Sequence, residues 1–515
     1  MAATWLKDAI FYEIYPQSFY DTNGDGVGDL NGITEKLDYI KGLGCNALWI
    51  NPCYDSPFKD AGYDVRDYKK VAPRYGTNRD LYRLFGEAHN RGMRVILDLV
   101  PGHTSEEHPW FRESQKAEKN EYSDRYIWST FCFEGCGGLN YVAGESQRDG
   151  VYVLNFFKCQ PALNYGFLHP SEHWQQGMDD PGPRATREAM KDVMRFWLDH
   201  GCDGFRVDMA DSLVKFDDAQ KSGTSAIWRD VRAMLDAEYP EAALIAEWSR
   251  PGLAVNCGFD AAFCLNDPWT GYPALMRDYD RKHPEKPDNS YFRADGDGDI
   301  KRFLEPYLAA YEATKQKGYI SLITCNHDTV RPSWNLDRRE RELAFAFLFT
   351  MPGVPFLYYG DEIGMRYLPL PTKEGGYFRT GSRTPMQWAP GENLGFSAAA
   401  PEALYLPVDP APDAPTVQDQ MADPGSLYRF VQRLLALRRA TPDLGADAPF
   451  SVVRDGPGVP FLYRRGGLLC AVNPSGSPCG AELPEERREA VFRVGEARLE
   501  GWRLTLGAQS FAVIA

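Results

Sequence analysis

The chain has 515 residues, a hydrophobic fraction of 43%, a charged fraction of 25% and a net charge of −15. That length exceeds one small core, and the acidic surplus excludes nucleic acid and anionic membrane surfaces as partners by repulsion. No apolar run is long enough to span a bilayer, and the N-terminal stretch lacks the basic, apolar and small-residue segments of a secretory leader. Eleven Cys without a framework of spacings read as reduced thiols, which points to a cytoplasmic location.

Short apolar runs, each leading into polar residues and then a helical pattern, recur at 9–15, 45–50, 94–100, 204–207, 244–246, 259–265, 319–324 and 354–358. This is the signature of βα units, and eight of them close a parallel barrel. After the first run comes an Asp/Gly-rich loop in which Asp21, Asn23, Asp25, the Val27 carbonyl and Asp29 alternate with other residues, and Gly26 sits at the sharp turn. That is the spacing of an EF-hand-type Ca2+ loop, although Gly32 stands where the bidentate Glu belongs. The sequence therefore predicts a structural Ca2+ held by Asp21, Asn23, Asp25, Val27 and Asp29, and no organic cofactor. About a hundred residues separate the third and fourth runs, far more than one helix needs, and much of the segment lacks helical period. It reads as a small domain over the barrel mouth.

A helix follows over 184–200, with Ala189, Val193, Phe196 and Trp197 on one face and Gly201 as its stop. Beyond Trp388 the βα rhythm fades into a Pro/Ala/Asp-rich stretch, a helix over 426–440 and, from Phe450, short alternating runs split by Gly and Pro. The expected fold is a (β/α)8 TIM barrel with a small domain inserted after strand 3 and a C-terminal antiparallel β-domain. The boundaries are barrel 1–103, insertion 104–174, barrel 175–441 and C-terminal domain 442–515.

In a parallel barrel, chemistry sits where the strands end. Asp98 stands at the end of the third run with His103 just after it, Arg206 and Asp208 at the fourth, Glu247 at the fifth, and Asn326, His327 and Asp328 at the seventh. Paired carboxylates of opposite protonation state are what glycoside hydrolysis needs. Period two places Arg206 and Asp208 on one face, so the guanidinium is expected to hold Asp208 ionised as a nucleophile. Glu247 follows an apolar run and precedes Trp248, so a dry setting is expected to raise it into a general acid. His103 and His327 are expected to donate to sugar hydroxyls, and Asp328 to hold a hydroxyl pair.

DLVPGH (98–103), GFRVD (204–208), Glu247 in LIAEW and CNHD (325–328) resemble the four signature regions of the α-amylase superfamily of glycoside hydrolases, in order and along essentially the whole chain. The resemblance implies Asp208 as nucleophile, Glu247 as acid/base and Asp328 as transition-state stabiliser. His103, Arg206 and His327 would complete the sugar subsite, with Tyr63 as a stacking platform. KDAGYDVRDY (59–68) and RTPMQW (383–388) are similar to segments of the oligo-1,6-glucosidase subgroup. There an Asp at the position of Asp60 and an Arg at that of Arg379 clamp the non-reducing-end glucose.

The function so implied is a retaining exo-acting α-glucosidase that takes short oligosaccharides through a covalent intermediate. The alternative on the same fold is a transglycosylase or isomerase, such as a sucrose isomerase, trehalose synthase or glucanotransferase. A non-catalytic carbohydrate-binding relative would be expected to have lost carboxylates that are all present here. Three positions depart from the pattern. Gly102 replaces the usual Asn before His103, Ala162 replaces Asp in QPALN (160–164), and Met209 follows the nucleophile where a Val or a smaller residue reports linkage.

Overall fold

The structure, a computed structural model, describes residues 3–515 apart from 266, 284, 376, 377 and 488. Eight parallel strands form its centre: β1 (Phe11–Ile14), β2 (Ala47–Ile50), β3 (Arg94–Leu99), β4 (Gly204–Val207), β5 (Ala243–Ala246), β6 (Ala261–Phe263), β7 (Tyr319–Ser321) and β8 (Phe356–Tyr358). They pair in the order β7-β6-β5-β4-β3-β2-β1-β8. Closure comes just past β7, where Ile323 bridges Phe356 in parallel and Thr324 donates to the Phe356 carbonyl at 3.0 Å. The last residues of the seventh run thus leave β6 and turn to β8, which is why β7 ends earlier than the apolar run that specifies it.

β1, β2, β4 and β5 are buried at every residue. Parallel strands covered on both faces select continuous apolar runs rather than alternation. Rings from four strands fill the barrel: Phe11 stacks on Phe356 at 4.3 Å between centroids, Phe263 meets Phe356 at 4.8 Å, and Trp49 meets Phe263 at 5.4 Å. This aromatic plug gives the polar groups above it an apolar floor.

Between β3 and β4 the chain forms a helix at Pro109–Ser114 and an antiparallel hairpin of Tyr141–Ala143 with Val151–Val153. A small cluster including Ile127, Val151, Val153, Ala162 and Phe167 is its own core. The segment returns to the barrel rim, where Ala162 bridges His103 and Leu163 donates to the Gly102 carbonyl at 3.1 Å. The helix Pro181–Asp199 then leads into β4, and Gly201 takes a φ of 103° that suits a residue without Cβ at the helix exit.

The helix Leu427–Ala440, capped by Ser426, packs the C-terminal part onto the barrel. From it Arg438 donates to the carbonyls of Phe349, Met351 and Gly353 at 2.6–2.9 Å. Strands β9 (Phe450–Arg454), β10 (Phe461–Arg465), β11 (Leu468–Asn473), β12 (Cys479–Glu482), β13 (Ala490–Val494), β14 (Ala497–Glu500), β15 (Arg503–Leu506) and β16 (Ser510–Ile514) follow. They make an antiparallel sheet ordered β9-β10-β11-β16-β13 and a second ordered β12-β15-β14. Among the described residues, no helix is long and apolar enough to cross a membrane. All eleven cysteines are free thiols.

Candidate active site

The loops after the strands surround a cavity of about 570 Å³ lined by, among others, Asp60, Tyr63, His103, Asp208, Glu247, Asp328 and Arg379. Arg206 and His327 stand below that lining, 1% and 0% exposed. The structure therefore brings the nine predicted catalytic and substrate residues into one region, in two tiers.

Arg206 organises the lower tier. Its Nη1 meets Asp98 Oδ1 at 2.7 Å and Asp208 Oδ1 at 3.0 Å, and its Nη2 meets Glu247 Oε1 at 3.0 Å. The guanidinium lies over the Trp49 ring at 5.0 Å, on the aromatic plug. One cation thus serves three carboxylates. The expectation that it holds Asp208 ionised is corrected accordingly. Burial and the neighbouring Glu247 carboxylate push the Asp208 carboxyl well above the usual range, against the pull of Arg206. Burial also raises Asp98, although Arg206, His327 and Tyr63 oppose it. Asp98, Asp208 and Glu247 thus compete for one guanidinium.

After Asp208 the backbone turns sharply, with Met209 at a φ of 42°. That left-handed conformation is strained for a side chain of this kind. It aims the Met209 N–H at Glu247 Oε2, 2.8 Å away. Beyond the pairing of β4 with β5, Arg206 and this amide add two links between the ends of these strands.

His327 is the hub of the second network. Its Nδ1 meets Glu13 Oε1 at 2.9 Å, and its Nε2 meets the Tyr63 hydroxyl at 2.7 Å and Asp328 Oδ2 at 3.3 Å. Burial opposes a charge on the ring, yet Asp328 and Glu13 outweigh it and raise the imidazole above its ordinary value. Asp328 behaves in the opposite sense. Burial would raise it, but His327, Arg379 and Arg383 hold its carboxyl well below the usual range. Arg379 and Arg383 both donate to Asp328 Oδ1, at 2.8 and 2.7 Å. The Tyr63 hydroxyl donates to Asp98 Oδ2 at 2.9 Å, which links the two networks.

In the cavity lining Arg379 pairs with Asp60, whose other oxygen accepts from Gln160 at 2.7 Å. Both members of the pair are 3% exposed. His103 borders the same region. Its Nε2 faces the Tyr63 carbonyl at 3.1 Å and its Nδ1 faces the Asn155 amide at 3.1 Å. Burial lowers its proton affinity, to a pKa of about 4.

The Asp21–Asp29 loop lies apart from the cavity. Asp21 Oδ1 accepts from the backbone N–H of Asn23 and Gly24, Asn23 Oδ1 from that of Asp25, and Asp25 Oδ1 from that of Val27, at 2.8–3.1 Å. Asp29 accepts from Thr22 and caps the helix Leu30–Glu35 through Gly32. Among the described residues no three His, Cys, Asp or Glu side chains converge as a ligand set. The oxygen-only donors nonetheless fit a hard cation, because a carboxylate oxygen accepting an N–H keeps a further lone pair.

Several members of the site lay outside the sequence reading. Glu13 was legible as a lone charge in the apolar strand FYEI. Asp98 stood at a strand end but was not assigned to the site. Gln160, Asn155 and the Met209 N–H come from irregular segments that carry no periodic signal.

A family profile described as "Alpha amylase, catalytic domain" matches residues 13–447. A trehalose synthase/amylase of Mycolicibacterium smegmatis is 36% identical over 489 residues, covering 84% of this chain and 76% of the relative. An oligo-1,6-glucosidase of Heyndrickxia coagulans is 31% identical over 570 residues, covering 98% and 95%. Among solved structures, the trehalulose synthase MutB of Pseudomonas mesoacidophila superimposes with a TM-score of 0.82 at 26% identity, covering all of both chains. With the barrel, the signature segments at its mouth and this profile in agreement, the chain belongs to the alpha-amylase family of glycoside hydrolases.

Proposed function

We propose that this enzyme is a retaining, exo-acting α-glucosidase that releases glucose from the non-reducing end of disaccharides and short oligosaccharides. The observation that carries the reading is the Asp60–Arg379 pair, buried in the lining of a cavity that also holds Asp208 and Glu247. A pocket closed by a carboxylate and a guanidinium can grip the hydroxyls of a terminal glucose, and a polymer cannot run through it. Asp208 attacks the anomeric carbon while Glu247 donates its proton to the leaving oxygen, giving a covalent β-glucosyl ester. Glu247 then deprotonates water, which breaks the ester with a second inversion. This chemistry requires the proton on Glu247 and the charge on Asp208 when attack begins. Asp328, kept ionised by His327, Arg379 and Arg383, accepts from sugar hydroxyls as positive charge builds on the ring.

A second reading is transfer of the glucosyl group to another sugar or to a new position on the same one. The trehalose synthase relatives and the structural likeness to sucrose-isomerising enzymes favour it. Product analysis with maltose, isomaltose, sucrose, trehalose and soluble starch separates the readings. Glucose is expected as the main product, with maltose or isomaltose cleaved faster than internal bonds of starch. Isomers or transfer products in excess of glucose would overturn the hydrolase reading. Faster internal cleavage of starch would overturn exo-action.

We also propose that Asp21, Asn23, Asp25, the Val27 carbonyl and Asp29 hold a structural Ca2+. Bound there, the ion would staple the loop after β1 without touching the reacting atoms. EDTA is expected to lower the melting temperature by about 5 °C. An unchanged melting curve after chelation would remove the ion from this account. The eleven free thiols support a cytoplasmic location.

A further inference from the structure

Gly102 leaves a gap in front of His103, and the structure shows what occupies it. A Cβ built at Gly102 would lie 2.7 Å from Asn155 Nδ2, so the Asn155 amide stands where a side chain at position 102 would begin. Asn155 comes from the inserted segment, just after the hairpin strand Val151–Val153. Its Nδ2 faces His103 Nδ1 at 3.1 Å, and its Oδ1 accepts from Lys215 Nζ at 2.8 Å. Lys215 also donates to the Ser212 carbonyl at 2.8 Å, which anchors it to the loop after the nucleophile strand.

The direction of these bonds is set by chemistry. Lys215 can only donate, so the Asn155 oxygen must face it and the amide nitrogen must face His103. Nδ1 of His103 is then an acceptor, and the proton sits on Nε2, directed toward the Tyr63 carbonyl 3.1 Å away. A ring held at both nitrogens cannot rotate, and burial favours its neutral form. Asn155 Nδ2 also lies 3.9 Å from the Met209 sulfur, beside the strained turn after Asp208.

We infer that Asn155, oriented by Lys215, is the positioning residue that sets the tautomer and orientation of His103 in place of a side chain missing at Gly102. The inserted segment thereby completes the barrel rim and ties the loop after β3 to the loop after β4. As a statement about catalysis the inference rests on the glucosidase reading above. As a statement about His103 it does not.

The test is a double-mutant cycle. Asn155→Ala is expected to lower kcat/KM for an aryl α-glucoside by about tenfold, from loss of one orienting hydrogen bond. Gly102→Asn alone is expected to do similar damage, because its side chain meets Asn155. Combined, the two are expected to recover to within about threefold of the parent, since the amide returns from the other side. A double variant no better than the worse single one, or an Asn155→Ala enzyme at parental rate, overturns the inference. If Gly102→Asn does not fold, Lys215→Met takes its place. Its loss should vanish in the Asn155→Ala background, and a fully additive loss overturns the inference. The 15N shift of His103 Nδ1, read across the same cycle, is independent of turnover. It should move in Asn155→Ala and return in the double variant, and a shift that does not move overturns the assignment. Failure of the glucosidase reading would appear separately, as absent turnover in the parent.

Discussion

Asp208→Ala is expected to lower kcat/KM for an aryl α-glucoside by about ten-thousandfold or more, the scale of losing a covalent nucleophile. The variant should keep its fold. Asp208 is a destabilising member of its cluster, since burial and Glu247 raise its carboxyl against the pull of Arg206. Removing it leaves Arg206 paired with Asp98 and Glu247, so the melting temperature should hold or rise while turnover disappears. Steady-state rates and a thermal scan on the same preparation check both halves. Turnover near the parental rate would sink the covalent mechanism, whatever the scan shows.

The second large effect is expected from Arg206→Met. Three carboxylates lie within 3.0 Å of that guanidinium, which is 1% exposed above an aromatic plug. Taking away one partner of a buried charge cluster costs about 3–5 kcal/mol, because the remaining charges lose their compensation without regaining water. Activity should fall about a thousandfold, the scale of losing a preorganised electrostatic contact. The pH profile gives the sign. In the proposed mechanism Asp208 attacks only when ionised, so activity appears as pH rises through its pKa. Arg206 pulls that pKa down, and its loss must move the acid limb of kcat/KM to higher pH. Urea unfolding and a pH–rate profile read the two effects independently, and an unmoved acid limb would remove Arg206 from control of the nucleophile. Arg206→Lys should restore charge but not both contacts, since an ammonium lacks the planar fork that reaches Asp208 and Glu247 together.

This cluster shows where reading along the chain succeeds. Period two in GFRVD placed Arg206 beside Asp208, and the 3.0 Å contact follows from that geometry. What the strand could not show was the competition. Asp98 arrives from β3 and Glu247 from the end of β5, and the pairing of β4 between those two strands makes them share one guanidinium with Asp208. A local pairing argument therefore predicted an ionised carboxylate, whereas burial beside two other acids gives one that resists ionisation.

The same contrast holds at the opening residues of the site. Asp60 and Arg379 were legible as a pair from their motifs, and the fold joins them across more than half the chain. Gln160, which holds the other oxygen of Asp60, lies in a segment whose place over the mouth depends on a hairpin and an isolated bridge to His103. In the sequence, Gly102 stood only as a replacement for the usual Asn before His103. In space the gap is filled by Asn155 and braced by Lys215.

By itself, then, the sequence determined the eight strands, their order and the polar residues at their ends, because apolar runs and strand-end charges are properties of short segments. Tertiary structure decided the protonation balance of Asp208, the support of His103 by Asn155, the salt bridge in the cavity lining and the partner exchange that shortens β7. Each of these depends on distances between segments far apart in the chain, and on an apolar floor that exists only once Phe11, Trp49, Phe263 and Phe356 have met. Charge–charge and burial energies act through space, and no pattern along the chain carries them.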